Sequence, residues 1–245
     1  MLAVLALLTF VFFISIDYVL TRRREEREAR LPALQHAEIT RDVAVTPEPV
    51  WVAGYQLPEH LHYHRGHTWV RVLAPDLAVV GVDDFARRLM GRADTVGLPQ
   101  PGSKVVQGGQ GFTLASGPRA AAFASPVGGS VVEVNPEILH RPDLCNADPY
   151  GRGWLFKVRT SQLAANLRNL LSGRLARRWI EDAKEQLELR LMALSGSVLQ
   201  DGGEPAPDFA EHLQPGDWND LAETFLDSIA GNHDPAIGPD PKGGA

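Results

Sequence analysis

Short runs of strand-forming residues, separated by turn residues, fill the middle of the chain from Val52 to Val158. Residues 68–72 follow a period of two, as on a strand with one buried face, whereas residues 77–82 are apolar throughout and indicate a fully buried strand. Proline and glycine then interrupt the pattern at Pro99, Pro101, Gly102, Gly108 and Gly109. Such a series of short strands joined by turns predicts a small barrel or sandwich.

Helices are predicted at two places in and after this segment. In residues 83–91 three apolar side chains share one helical face, Asp83 can cap the first turn, and Gly91 can end the helix. Residues 161–195 carry apolar residues at spacings of three and four, with a Ser-Gly break that separates a last helix at 173–195. The predicted fold class is therefore mainly β with α.

The first 20 residues are apolar except for Thr9, Ser15 and Asp17. About 20 apolar residues in a helix span the hydrocarbon core of a bilayer. Arginines follow the run at 22–24, which is the reverse of the charge order in a secretory signal peptide. We therefore expect an uncleaved single-pass transmembrane helix at 1–20 and a juxtamembrane tether at 21–50. The positive-inside rule places the N-terminus outside a bacterial-type cytoplasmic membrane and the rest of the chain in the cytoplasm.

The negative charge of the chain is concentrated at its C-terminus. Residues 201–245 carry ten acids and one lysine, a net charge of −9, whereas the whole chain has −6. This balance argues against nucleic-acid binding, and it predicts an acidic, largely disordered tail at 196–245.

One short amphipathic helix is predicted within this tail, at residues 217–230, with Trp218, Leu221 and Phe225 on one face. A helix of this length is not stable alone. Its apolar face either binds a protein partner, which makes these three residues partner-binding candidates, or packs on its own domain.

Five segments in order follow a known pattern: His-Thr-Trp-Val at 67–70, Gly-Val-Asp-Asp-Phe-Ala at 81–86, Leu-Pro-x-Pro-Gly at 98–102, Ser-Pro-Val-Gly-Gly-Ser-Val-Val-Glu-Val-Asn at 125–135, and Asp-Pro-Tyr-Gly-x-Gly-Trp-Leu at 148–155. Together they resemble the glycine cleavage system H-protein family. The resemblance implies a barrel-sandwich hybrid (lipoyl/H-protein-like) domain, which we place at 51–172, between the transmembrane helix and the helical extension. The motif positions expected to have structural roles are His67, Trp69, Asp84, Pro126, Asn135, Pro149, Tyr150, Gly151 and Trp154.

The resemblance also implies a lysine that carries a lipoyl group at the tip of a hairpin. Counting back from Ser125 places this attachment position on Pro118, or on Arg119 after a slip of one residue. Proline has no side-chain amine, and the arginine guanidinium stays protonated and is not an acyl acceptor. The four lysines of the chain lie elsewhere: Lys104, Lys157, Lys184 and Lys242. We therefore expect the lipoyl group to be absent, and no other cofactor is implied.

Three histidines alternate just before the first motif, at His60, His62 and His64, and would share one face of a strand. Histidine is the commonest metal ligand, so these residues are weak candidates for a metal site. The lone Cys145 is interpreted as an ordinary small residue because a reactive thiol needs a special environment.

No Ser/His/Asp order, Gly-x-Ser-x-Gly or paired-carboxylate motif is present in the sequence. We therefore expect a protein that is not an enzyme: a membrane-anchored, non-lipoylated H-protein-like adaptor that binds an unidentified protein partner. One alternative is a carrier component of a glycine-cleavage-like or redox complex at the cytoplasmic membrane. Another alternative is a metal or ligand sensor that uses the histidine cluster.

Overall fold

The computed structural model describes residues 50–195 and 209–226. The predicted transmembrane helix at 1–20, the tether to residue 49, and the tail at 196–208 and 227–245 lie outside these ranges. Among the helices within the described ranges, none combines the length and the apolar character that crossing a bilayer requires.

The β-structure begins with a two-stranded ribbon and continues in a six-stranded antiparallel sheet. The ribbon consists of β1 Trp51–Val52 and β2 Tyr55–Gln56. The strands of the six-stranded sheet are β3 His62–Tyr63, β4 Thr68–Ala74, β5 Leu77–Val82, β7 Lys104–Val105, β10 Gly129–Val134 and β11 Phe156–Arg159. Their order across the sheet is β3-β4-β5-β11-β10-β7. Every residue of β5 is buried, which confirms the strand predicted from its unbroken apolar run.

A second sheet of three antiparallel strands packs on the first. It contains β6 Thr95–Gly97, β8 Gln110–Ser116 and β9 Arg119–Ala124. The Phe112 ring of β8 lies 6.0 Å from the Phe156 ring of β11. The Thr68 hydroxyl of β4 donates to the Ala124 carbonyl of β9 over 3.2 Å. The two sheets thus enclose one apolar core, and the predicted β-rich sandwich is confirmed.

Six α-helices lie in the described part of the chain: α1 Asp84–Met90, α2 Pro136–His140, α3 Leu144–Ala147, α4 Leu163–Leu167, α5 Gly173–Ser195 and α6 Pro215–Phe225, with a 3₁₀ turn at Phe209–His212. The prediction for α1 is confirmed in detail. The Asp83 carboxylate accepts from the Ala86 amide over 2.8 Å, and Gly91 ends the helix at φ +74°. The predicted break before α5 is also confirmed.

The C-terminal helix differs from its prediction in its first residue. It begins at Pro215, two residues before the predicted start, with Gln214 as the capping residue. The side chains of Trp218, Leu221 and Phe225 are buried on the chain's own domain, with Trp218 Nε1 donating to the Leu89 carbonyl of α1 over 2.9 Å. Of the two alternatives for this apolar face, the structure has it packed on the chain's own domain, and the binding of a partner by these three residues stays a prediction. Residues 209–226 contain a 3₁₀ turn and this helix, so the prediction of a largely disordered tail at 196–245 does not hold for them.

Trp69 stands at the centre of the packing between β4 and β5. Its ring is fully buried and its Nε1 donates to the Val82 carbonyl over 2.8 Å. The ring lies directly over Gly81, where a Cβ atom would come within 2.4 Å of it. The motif glycine is thus required by close packing against the motif tryptophan.

Replacing Gly81 with alanine should destabilise the domain by about 1–3 kcal/mol, because the added methyl group overpacks the core against Trp69. The matched control is Gly216→Ala in α6, where a Cβ meets no atom within 4 Å. This control should be neutral or stabilise by up to about 1 kcal/mol, since alanine favours a helix. Urea unfolding of the purified protein measures both changes, and an unchanged midpoint for Gly81→Ala would contradict the packing argument.

Candidate functional site

The hairpin formed by β8 and β9 contains the candidate site. Ser116 pairs with Arg119, so Gly117 and Pro118 are the two central residues of the turn. Gly117 has φ +56° and Pro118 is not among the residues with positive φ. This pattern matches the type II′ turn, which places glycine at its first central position. Pro118 is exposed at the tip, whereas Arg119 is the first residue of β9.

Polar contacts hold the tip to the loop that follows α1. The Gly117 amide donates to Asp94 Oδ2 over 2.7 Å, and the Asp94 amide donates to the Ala115 carbonyl over 2.8 Å. The guanidinium of Arg119 folds back, with Nη2 donating to Ser116 Oγ over 3.2 Å. A Cβ atom at residue 91 would lie 3.1 Å from this Nη2. Arg119 therefore lies against the end of α1, away from the exposed tip.

Asn146 fixes the same loop from the other side. Its Oδ1 accepts from the Ala93 amide over 2.9 Å, and its Nδ2 donates to the Gly91 carbonyl over 2.7 Å. Sequence reasoning singled out neither Asn146 nor Asp94, because both act on residues distant in the chain and neither belongs to a local motif. The only sequence signal near the tip was the Gly-Pro pair of the turn.

The residues at this tip do not fit a lipoyl group, since the amide bond to lipoate needs a primary amine. Each described lysine lies away from the tip. Lys104 is exposed on β7 and pairs with Ser130 of β10. Lys157 is buried, with Nζ 2.9 Å from Glu133 Oε2, and Lys184 on α5 has its Nζ 2.6 Å from Glu188 Oε1.

His67 lies in a buried pocket of aromatic rings. Its Nδ1 is 2.7 Å from Asp83 Oδ2, and its ring stacks on Phe85 with centroids 4.1 Å apart. Trp179 of α5 covers the ring at 4.5 Å. His67 has φ +58°, a left-handed conformation that is uncommon for residues other than glycine. These contacts give the motif histidine a packing role and leave it 1% exposed.

Asp84 and Tyr150 join the start of α1 to the first ribbon. The Tyr150 hydroxyl donates to the Gln56 carbonyl over 2.6 Å and accepts from the Asp84 amide over 2.9 Å. Asp84 Oδ2 accepts from the Gln56 amide over 2.9 Å, and both arginines of α1, Arg87 and Arg88, pair with this carboxylate. Burial raises the pKa of Tyr150 well above its usual value, so the hydroxyl stays protonated and can donate.

The motif residues that precede β11 also hold loops in place. Asn135 caps α2 through the Glu137 amide, and its Nδ2 donates to the carbonyls of Arg152 and Trp154, each over 2.7 Å. Trp154 is half-buried and lies under Lys157 Nζ at 4.7 Å from its ring centroid.

The turn between α3 and β11 depends on the Asp148 carboxylate. It accepts from the Gly151 amide over 3.0 Å and from the Arg152 amide over 2.7 Å. A Cβ atom at Gly151 would come within 2.4 Å of that carboxylate. Pro149 and Pro126 are both buried, and the Pro126 carbonyl accepts from Gln107 Nε2 over 2.9 Å.

The three alternating histidines do not share a strand face as predicted, because β3 contains only His62–Tyr63. His64 Nδ1 accepts from the Gly66 amide over 3.0 Å within a turn. Burial lowers the pKa of His62, and burial followed by the charge of Arg71 lowers the pKa of His60. Within residues 50–195 and 209–226, no three His, Cys, Asp or Glu side chains are placed to hold one metal ion.

Cys145 is 1% exposed, and burial raises the pKa of its thiol to about 12. Because the thiolate is the reactive form, the folded protein should react with a maleimide or a disulfide reagent at least roughly 100-fold more slowly than the urea-unfolded chain. Mass spectrometry of timed samples measures the rates, with Cys145→Ala as the control for labelling at other residues. Rapid modification of the folded chain would contradict the buried placement.

The sequence of this chain is similar to those of known proteins. The family model described as glycine cleavage H-protein matches residues 61–183. The glycine cleavage system H protein of Aeromonas hydrophila is 40% identical over 115 residues, which are 47% of this chain and 88% of that protein. That of Marinobacter nauticus is 39% identical over 104 residues, or 42% and 80% of the two chains.

A probable glycine cleavage system H protein 2 of Sulfurisphaera tokodaii is 35% identical over 125 residues, which are 50% of this chain and 84% of that protein. A crystal structure of a glycine cleavage system H protein from Mycobacterium marinum aligns at a TM-score of 0.44 and 24% identity, covering 51% of this chain and 98% of that one. The family match extends over half of the chain and the relatives are covered over most of their length, so this chain belongs to the glycine cleavage H-protein family.

Proposed function

We propose that this chain is a non-catalytic, non-lipoylated binding protein that uses the H-protein scaffold as a docking surface at a membrane. The observation that carries the proposal is the composition of the hairpin tip. Gly117 and Pro118 form the turn, and neither side chain offers an amine. A lipoyl arm has no attachment point at this position.

The residue next to the tip does not replace the missing amine. The guanidinium of Arg119 is not an acyl acceptor. Its guanidinium is engaged with the Ser116 carbonyl and hydroxyl and is half-buried beside Gly91. An electrophilic acyl group at the tip would therefore meet a proline ring and backbone, with no nucleophilic nitrogen.

The rest of the scaffold does not depend on an arm. Trp69, Tyr150 and Asn135 fill the core or hold loops through hydrogen bonds within the chain. These contacts remain complete when the tip carries no lysine. The surface of the family fold is therefore retained, and this supports a role in protein binding. Residues 1–20 are proposed as the membrane anchor.

A second candidate function is a carrier component of a glycine-cleavage-like complex, as the printed names of the relatives suggest. It would require another lysine to carry the group. Lys104 is the exposed lysine of the described β-domain, but it lies on β7 at the edge of the six-stranded sheet. We favour the binding role because the amine is absent at the tip itself.

Incubation of the purified full chain with lipoate, ATP and a lipoate ligase should leave its intact mass unchanged. The positive control is the Marinobacter nauticus H protein, and a second control is Pro118→Lys, which places an amine at the exposed second position of the turn. Pro118 has no positive φ, so lysine fits the turn without strain. A lipoyl mass on the wild-type chain would refute the proposal, and loss of that mass in Lys104→Ala would identify the carrier lysine.

The membrane role is tested by fractionation of expressing cells. The full chain should sediment with membranes and be released by detergent but not by high salt, because an apolar helix of 20 residues is held by the hydrocarbon core. A variant that lacks residues 1–20 should be recovered in the supernatant. Recovery of the full chain without detergent would contradict the anchor.

A further inference from the structure

Helix α6 lies beyond the part of the chain that matches the H-protein family, which ends at residue 183. It presents one apolar stripe, made of Trp218, Leu221, Ala222, Phe225 and Leu226, all buried. The residues between them, such as Asn219 and Glu223, are exposed. An eleven-residue helix thus covers a surface of the family domain with a segment that the family model does not include.

The surface covered by α6 is formed by β9, α5 and part of α1. Trp218 Nε1 donates to the Leu89 carbonyl in the last turn of α1 over 2.9 Å. The Phe225 ring lies 5.2 Å from the Phe85 ring, whose other side stacks on His67. We define the α1 face as the Phe85 ring and the carbonyl of Leu89.

The α1 face adjoins the hairpin tip. Gly91 ends α1, and Arg119 of β9 lies against Gly91. Asp94, three residues further on, binds the Gly117 amide at the turn. Whatever binds the α1 face therefore stands beside the turn that distinguishes this chain from a lipoyl carrier.

Few polar contacts hold α6 on the domain within the described residues. A helix of this length is not stable in water alone, so its helical form depends on its packing against the domain. Its only ion pair to α5 within the described residues, Arg190 to Asp220, is between exposed side chains and so contributes little, on the order of 0–1 kcal/mol. Thirteen residues, 196–208, connect α5 to the 3₁₀ turn before α6.

We propose that the α1 face is a helix-binding surface that α6 occupies in cis as a releasable latch. The partner that this surface fits is an amphipathic helix with the spacing Trp-x-x-Leu-Ala-x-x-Phe and acidic residues on its outer face. It binds only when α6 leaves. This inference rests on the proposed docking function and describes its regulation.

The test uses the full chain and a fluorescein-labelled peptide of residues 209–226. Leu221→Asp places a charge in the buried stripe and should undock α6, whereas the matched control Asn219→Asp adds the same charge on the exposed face. By fluorescence anisotropy, the peptide should bind the Leu221→Asp chain at least tenfold more tightly than wild type or Asn219→Asp. Equal binding to all three chains, or no binding to a folded Leu221→Asp chain, overturns the latch.

A second measurement does not need an undocked variant. Hydrogen exchange of the wild-type chain should show α6 amides exchanging at least tenfold faster than the amides of β4 and β5, because α6 opens locally. Exchange of α6 only at the rate of the β-core would mean that the helix is an integral part of the fold and would overturn the proposal. Both readouts are independent of lipoylation, so a lipoylated chain would refute the proposed function and leave the latch to be judged by its own result.

Discussion

The part of the domain around α1 depends on two hydrogen bonds of the Asp83 carboxylate. One oxygen caps α1 through the Ala86 amide, and the other lies 2.7 Å from the ring of His67. The cap alone is worth about 1 kcal/mol. Removing one partner of this buried hydrogen bond costs about 1–3 kcal/mol, because the other is left unsatisfied. This one residue thus fixes where β5 ends, where α1 begins and how the turn before β4 is held.

From Asp83 the packing extends in two directions. Through His67 it reaches Phe85 and Trp179, so α1 is held against α5 by a stack of rings. Along α1 it reaches Leu89 and Gly91, where α6 and Arg119 make their contacts. The hairpin tip therefore lies beside the same helix that carries the α1 face.

Local signals predicted the elements that local interactions form. Asp83 and Gly91 marked both ends of α1, and the Gly-Pro pair lies at the turn where counting from Ser125 placed it. The contacts that join distant segments were not predictable in this way. Nothing in the neighbourhood of Asn146 indicates that it holds the Gly91–Asp94 loop 55 residues before it in the chain. The surface on which α6 packs could not be predicted for the same reason. An amphipathic stripe indicates that a helix packs on an apolar surface, but it does not identify that surface.

The family motifs and the attachment lysine are physically separable, and this explains how a chain can keep one without the other. The motif residues are buried or bind backbone groups, as Trp69 does at Val82 and Asn135 does at Trp154. The tip is exposed, and the described hydrogen bonds between the hairpin and the loop after α1 use hairpin backbone groups, the Gly117 amide and the Ala115 carbonyl. A substitution at position 118 therefore costs the core nothing, and proline there restricts the unfolded chain and is worth about 0.4–1 kcal/mol where the native φ allows it. A carrier needs a long flexible amine at that point, whereas a rigid binding surface is favoured by a stiff turn. Proline at the tip therefore supports the proposed binding role over a carrier role.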